Sequence, residues 1–517
     1  MIMADLIFYN ANIITLDPNI ENAQLVAIGD GRIQVVAGNE ALKDLKRSDT
    51  QVIDCRGKTV LPGFCDTHFH LLSTAAKSVT LDVSPAADVY SISDLQERIR
   101  RNSKKLASGA WIKASGYHEF NLAEGRHPTR WDLDEAAPKH PVKLTHQSRH
   151  AHVLNSPALN RVGISIDTPD PPGGLIDRSV PTGEPTGILF EMNDFLSGRI
   201  APLEQREIDR GVRSVNQELL SKGITAIHDT SSHNGIKQWT SLCVWKEKDK
   251  FLPRVNMMLG LNGFKNREQS DFSCLHNQDQ LRLSGVKIIL DETTGQLYPP
   301  QMELNRLVSE IHQAGLQVAI HAIEEAAVES VCMAIEHALK KLPKPDHRHR
   351  VEHCAVCSPS LAERLASSGI MVVTQPAFIY HNGDRYLETV SNCEIQHLYP
   401  IGTLIKNRVT VAGSSDSPIV PPNPLIAMYA AVTRKTKTGN TISTKERIEP
   451  MAALRMYTSD AAKATFNETK RGSITAGKLA DLVVLNGDPM KLPSEELKDL
   501  AVEMTILNGN IVWNKQD

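Results

Sequence analysis

Leu61-Pro-Gly-Phe-Cys-Asp-Thr-His68-Phe-His70 is the stretch on which the reading of the fold turns. Pro62-Gly63 sets its start, an apolar segment follows, and two histidines one residue apart close it. Side chains alternate between the faces of a β-strand, so His68 and His70 point the same way. Two imidazoles on one face, at the carboxyl end of a strand, form half of a metal site. A His-x-His pair standing alone is more often just a polar strand face, so the other ligands have to come from elsewhere in the chain.

Working outward, residues 5–60 read as short strands broken at Gly29, Gly31, Gly38 and Gly57. The carboxyl end has the same texture, with Leu482-Val-Val-Leu and Met504-Thr-Ile-Leu among glycines. One small β-sandwich built from both termini, 1–60 plus 470–517, is therefore expected. Between them, at 61–469, strand-like runs alternate with helical periodicity, the pattern of βα units around a parallel sheet. Runs beginning at Ile224, Arg254, Val286, Leu316, Arg348, Ile370 and Arg408 join the opening stretch to make eight strands, the count of a (β/α)8 TIM-like barrel. Leu304, Leu307, Val308 and Ile311 share one helix face, as do Ala327, Val331, Ile335 and Leu339. An interval at about 80–205, rich in Pro, Gly and His, departs from this rhythm. It reads as an insertion between the first and second barrel strands, over the end where a site would lie.

Ligand-type residues recur where barrel strands end. His321 closes Gln317-Val-Ala-Ile-His, His353 closes Arg350-Val-Glu-His, and Asp416 follows Val409-Thr-Val-Ala-Gly-Ser-Ser. Lys287 sits inside Val286-Lys-Ile-Ile-Leu. The carboxyl ends of barrel strands converge on one face, where catalytic groups collect. One strand histidine is ordinarily structural; five such residues at the ends of four strands point to a metal centre.

The balance of the 517 residues, 41% hydrophobic and 23% charged with a formal net charge of −3, gives no electrostatic reason to expect nucleic acid or an anionic membrane as partner. The first residues lack a basic segment followed by an apolar run, so a cytoplasmic protein is expected. The eight cysteines are scattered, and the single C-x-x-C, Cys354 and Cys357, reads as packed, reduced thiols.

Pro62-Gly-Phe-Cys-Asp-Thr-His68-Phe-His70, the later histidines and Gly413-Ser-Ser-Asp416-Ser-Pro resemble the amidohydrolase superfamily of metal-dependent hydrolases. Gly472-Ser-Ile-Thr-Ala-Gly-Lys-Leu-Ala-Asp is similar to that superfamily's returning sandwich segment. His150-Ala-His-Val-Leu-Asn-Ser and Gly183-Glu-Pro-Thr-Gly are similar to its family-3 branch, which includes N-substituted formamide deformylases. The resemblance implies one divalent metal on His68, His70 and Asp416, and a second on His321 and His353. Lys287 matches the position at which binuclear members carry an N-carboxylated lysine bridging both ions. Zinc is the expected metal, with manganese, iron and cobalt as alternatives. The implied reaction is hydrolysis of a C–N bond in an amide, N-formyl or cyclic amide small molecule. Its nucleophile is metal-activated hydroxide, and Asp416 acts as general base and then acid. The family pattern ordinarily continues Lys-x-x-x-Asp-Gly-Ser; here it runs Lys287-Ile-Ile-Leu-Asp291-Glu-Thr-Thr-Gly, which bears on substrate contacts more than on metal binding.

By the same resemblance His150 is the insertion's residue for substrate; His152, His228, His381 and Arg385 are weaker candidates, each read as structural before functional. A different reaction, deamination of an aromatic or amidine-like base at one metal, would use Glu324, three residues after His321. A non-catalytic scaffold is a third reading, opposed by the full set of ligands. A homo-oligomer is compatible with every one of these readings.

Overall fold

The computed structural model describes residues 4–20, 22–171, 173–272, 279–292 and 295–515. The chain divides into two compact units, Met1–Leu71 with Asn216–Asp517, and Leu72–Val215.

The first unit holds the barrel. Its strands Phe64–Phe69, Ile224–Asp229, Arg254–Leu259, Leu281–Ile289, Gln317–Ala322, Arg350–His353, Met371–Thr374 and Val411–Gly413 pair in sequential order, and each pairing is parallel. First and last strands nearly close the ring through a bridge between Phe69 and Ser417. There Asp416 N–H donates to His68 O at 3.0 Å and His70 N–H to Ser417 O at 3.1 Å. Most strand positions are buried, as a parallel sheet covered on both faces requires. Helix Gln301–Gln313 buries Leu304, Leu307, Val308 and Ile311 as expected. Helix Glu325–Lys341 buries Ala327, Val331 and Ile335, but Ala338 replaces Leu339 on its inner face, because a helix advances 3.6 residues per turn and a spacing of four drifts outward.

Both chain ends meet in the sandwich. Leu6–Tyr9, Leu25–Gly29, Arg32–Ala37 and Gln51–Asp54 make a four-stranded sheet. Asn12–Ile13, Thr59–Pro62, Leu482–Leu485, Val502–Leu507 and Asn510–Asn514 make a five-stranded one. Phe8, Val26 and Ile28 from the first sheet share one core with Val60, Leu482, Val484 and Ile506 from the second. Thr59–Pro62 lies antiparallel to Leu482–Leu485, and after Gly63 alone the chain enters the first barrel strand. A Cβ on Gly63 would stand 2.4 Å from Thr225 Oγ1, so this passage from sandwich to barrel needs glycine. Arg254 of the third barrel strand meets Asp481 in a two-pronged ion pair, with Nε–Oδ2 at 2.6 Å and Nη2–Oδ1 at 2.9 Å, both side chains nearly inaccessible to water.

The second unit covers the Pro- and Gly-rich interval, and it is a folded module with its own sheet and core. Leu81–Asp82, Ile112–Tyr117 and Val142–His146 run parallel. Ala151–Leu154, Pro185–Phe190 and Leu175–Arg178 extend the sheet by antiparallel pairing. Ile112, Ala114, Val142, Leu144 and Val153 pack with Leu95 and Ile99 of helix Ile92–Ser103. Among the described residues, no helix of either unit is long and apolar enough to cross a membrane.

Candidate metal centre

The centre is built from strand ends. Asp66 and His68 alternate with Thr67 on the first barrel strand, and His70 stands one residue past its end. The buried Asp66 carboxylate accepts the Ser415 N–H at 3.1 and 3.2 Å and the His68 N–H at 3.3 Å, pinning the last strand's loop to the first strand. Asp416 follows with φ at +54°, a left-handed conformation unusual for a residue with a side chain. Its Oδ1 lies 3.0 Å from His70 Nε2 and 3.5 Å from His68 Nε2. One ligand atom from each of His68, His70 and Asp416 falls within 4.8 Å of the others, the geometry of a metal cluster.

The other strand-end histidines adjoin this trio. Ring centroids run 5.1 Å from His70 to His68, 4.9 Å from His68 to His353 and 4.5 Å from His353 to His321. His353 has φ at +74°, which breaks the alternation of its strand. Glu352 and His353, adjacent in sequence, therefore both touch His68.

What holds the rings is as informative as their proximity. His68 Nδ1 pairs with Glu352 Oε2, and Arg350 Nε in turn sits 2.6 Å from Glu352 Oε1. His70 Nδ1 contacts Ser231 Oγ at 3.1 Å, and that hydroxyl donates to Asp229 Oδ1 at 2.6 Å. His353 Nδ1 faces Gln375 Oε1 at 3.0 Å, while the same amide's nitrogen donates to Ser414 Oγ. Each acceptor favours the tautomer protonated on Nδ1, leaving the Nε2 lone pair for a cation, as around metal-bound histidines. Glu352, Ser231, Asp229 and Gln375 are absent from the residues picked out by sequence.

Burial, reinforced by the charges of Lys287 and neighbouring imidazoles, holds His68 well below its ordinary pKa. Burial also brings His353 to about 4. Both rings are neutral near pH 7, the state in which imidazole can ligate. Burial would raise Asp416, but its hydrogen bond with His70 and the charges of His353, His70 and Lys287 outweigh that and keep it ionised. Asp66, by contrast, is pushed up to about 7 by burial.

Lys287 is fully buried, its Nζ has no hydrogen-bond partner, and burial lowers it to about 8. Its charge acts on His68, His353, Glu352 and Asp416, which places it among the ligands. A buried, unpartnered amine that reaches its free-base form near neutrality fits a group that takes up CO₂ to become an anionic oxygen ligand. The donor set of imidazoles and carboxylate likewise fits one or two divalent ions. Thr293 and Thr294 of the segment after Lys287 lie outside the described residues.

The remaining candidates separate cleanly. His150 belongs to the second unit and is exposed, with Nδ1 2.6 Å from Glu191 Oε1. His152 is buried between Thr145 and Asn193. His228 is buried between Ser284 and Arg350, a structural post behind Glu352. Arg385 stacks on Tyr386, and His381 has its ring against Tyr380. Glu324 is exposed where helix Glu325–Lys341 begins. Cys354 and Cys357 are buried free thiols.

A family model described as "Amidohydrolase family" matches residues 51–513. An N-substituted formamide deformylase from Arthrobacter pascens is 30% identical, over 99% of this chain and 99% of its own. The solved structures of metal-dependent hydrolases from Pyrococcus horikoshii OT3 and Pyrococcus furiosus share the fold. The first has a TM-score of 0.75 at 23% identity, over 95% of this chain and 99% of its own. The second has 0.73 at 24%, over 94% and 100%. The match over nearly the whole chain agrees with the barrel, the two-ended sandwich and the ligands at the strand ends: the chain belongs to the amidohydrolase family.

Proposed function

We propose that this enzyme is a metal-dependent hydrolase that cleaves the C–N bond of an N-formyl, amide or cyclic amide small molecule. The observation that carries the reading is the orientation of His68, His70 and His353 by Glu352, Ser231 and Gln375, beside an ionised Asp416. Bound on His68, His70 and Asp416, a divalent ion, zinc foremost, supplies acidification of a water toward pKa about 7 and polarisation of the substrate carbonyl. Asp416 receives the proton that the attacking water loses and passes it to the departing nitrogen, which must leave as a neutral amine. The neutral rings of His68 and His353 keep their lone pairs for ligation, His68 to this ion and His353 to a second, without competing for that proton. His321, His353 and an N-carboxylated Lys287 provide for a second ion.

The relative from Arthrobacter pascens is named for removing formyl groups from substituted formamides, and its match from end to end supports N-formyl compounds as the first class to try. The test is metal analysis joined to an activity screen over N-formyl, N-acyl and cyclic amide compounds. Hydrolysis that disappears on chelation and returns with metal is the expected result. A broad panel left uncleaved at every metal loading would overturn the proposal.

A further inference from the structure

The second unit brings together another set of metal-ligating side chains. Strands Ile112–Tyr117 and Val142–His146 run side by side, with Tyr117 opposite His146 across a register shift at Thr145 and His146. Beyond the first strand come His118 and Glu119, and the following loop returns His127. Glu119 Oε2 lies 3.0 Å from His146 Nε2, 3.3 Å from His118 Nδ1 and 3.7 Å from His127 Nδ1. The imidazole centroids of His118 and His127 stand 4.5 and 5.7 Å from that of His146. Tetrahedral bonds of about 2.0–2.1 Å to zinc put neighbouring ligand atoms about 3.3–3.4 Å apart. The three separations around the Glu119 oxygen straddle that value.

A second observation points to a cation rather than a plain hydrogen-bond network. His146 is 6% exposed, and its Nε2 and Glu119 Oε2 are both buried, in ion-pair contact at 3.0 Å but outside good hydrogen-bond geometry. A buried pair this close without a well-formed hydrogen bond is better satisfied by a cation held between the two atoms. Ligation through Nε2 requires the His146 tautomer protonated on Nδ1: Ser148 Oγ, 2.7 Å away, can accept that proton, in exchange for the Ser148 N–H that now donates to Nδ1 at 3.1 Å.

We propose that His118, Glu119 and His146, closed by His127, form a structural site for a zinc-like divalent transition metal in the second unit, separate from the barrel centre. Binding there displaces the Phe120 N–H from His118 Nδ1 at 3.2 Å, the Tyr117 hydroxyl from His127 Nδ1 at 3.0 Å and the Ser148 N–H from His146 Nδ1 at 3.1 Å. Three nitrogens and one carboxylate oxygen complete a tetrahedron with no open position, which suits a clip rather than a catalyst.

The test is zinc content after saturation and exhaustive dialysis, for the parent, Glu119→Gln and His146→Gln. Each variant is expected to hold one equivalent less than the parent, whether the barrel carries one ion or two. Folded variants that keep the parent's stoichiometry overturn the proposal. Crystals of the unaltered protein soaked in zinc give a readout that does not depend on variants folding. An anomalous peak among His118, Glu119 and His146 is expected, and a peak at the barrel alone overturns the site. Because the barrel peak is read in the same map, failure here is distinguishable from failure of the hydrolase reading.

Discussion

Glu352 Oε2 pairs with His68 Nδ1, so the nitrogen that His68 turns toward Asp416 is Nε2. The carboxylate is itself fully buried, and Arg350 on the same strand offsets the cost of that burial. Such a partner fixes ring orientation and raises ligand basicity. Glu352→Gln keeps the shape but removes the charge. A loss of about 10–100-fold in metal affinity or kcat/KM is expected, measured by competition with a chelator and by initial rates. Parent-like values in both would show that the pair only fills space.

In the proposed mechanism Asp416 has two tasks, ligation and proton transfer, and Asp416→Asn separates them. The amide oxygen can still ligate, but it cannot take a proton from water. A fall in kcat of about 10²–10⁴-fold is expected at a metal content restored by excess zinc. Full activity at restored metal content would move the general base elsewhere.

How much of this was legible beforehand follows from the physics of each element. Barrel strands were visible because a sheet covered on both faces demands continuous apolar runs, and His68, His321 and His353 each mark a strand end. Glu352 was hidden by the same rule of alternation that revealed His68 and His70: beside His353, it should point to the opposite face. The positive φ of His353 cancels that rule, and no residue type announces it. Ser231 and Gln375 come from loops distant in sequence, so only the closed barrel brings them to His70 and His353. In the insertion, prolines and glycines at the turns masked a sheet whose inward residues, Ile112 and Ala114 or Val142 and Leu144, do alternate.

The bridging role proposed for Lys287 depends on chemistry after synthesis. CO₂ adds to the free amine only, and burial has brought the amine's pKa to about 8. The free-base fraction therefore grows as pH rises through 8. Metal-free protein depleted of bicarbonate should regain activity faster at pH 9 than at pH 7 when zinc and a fixed concentration of dissolved CO₂ are added. Lys287→Ala should lose activity, and a small carboxylate such as formate or acetate should restore part of it by filling the vacated anionic position. Reactivation independent of both CO₂ and pH would leave Lys287 as an ordinary buried amine.

Arg254 and Asp481 tie the barrel to the returning sandwich segment, and their pairing has a pH signature. Burial alone would raise the Asp481 carboxyl, but the charge of Arg254 and its hydrogen bonds, with the Asn508 N–H, hold it below the ordinary value of 3.8. A carboxylate depressed on folding stabilises the protein fully above its unfolded pKa. That contribution is lost as pH falls through the lower, folded value. Asp481→Asn leaves the Arg254 guanidinium buried without a counter-charge, a change that costs about 3–5 kcal/mol when a buried pair is broken. Denaturant unfolding at pH 7 should show a loss of that order, and the gap between parent and variant should narrow as the pH is taken below 3.8. A gap that is constant across the acid range would mean that Asp481 acts through its hydrogen bonds and not through its charge.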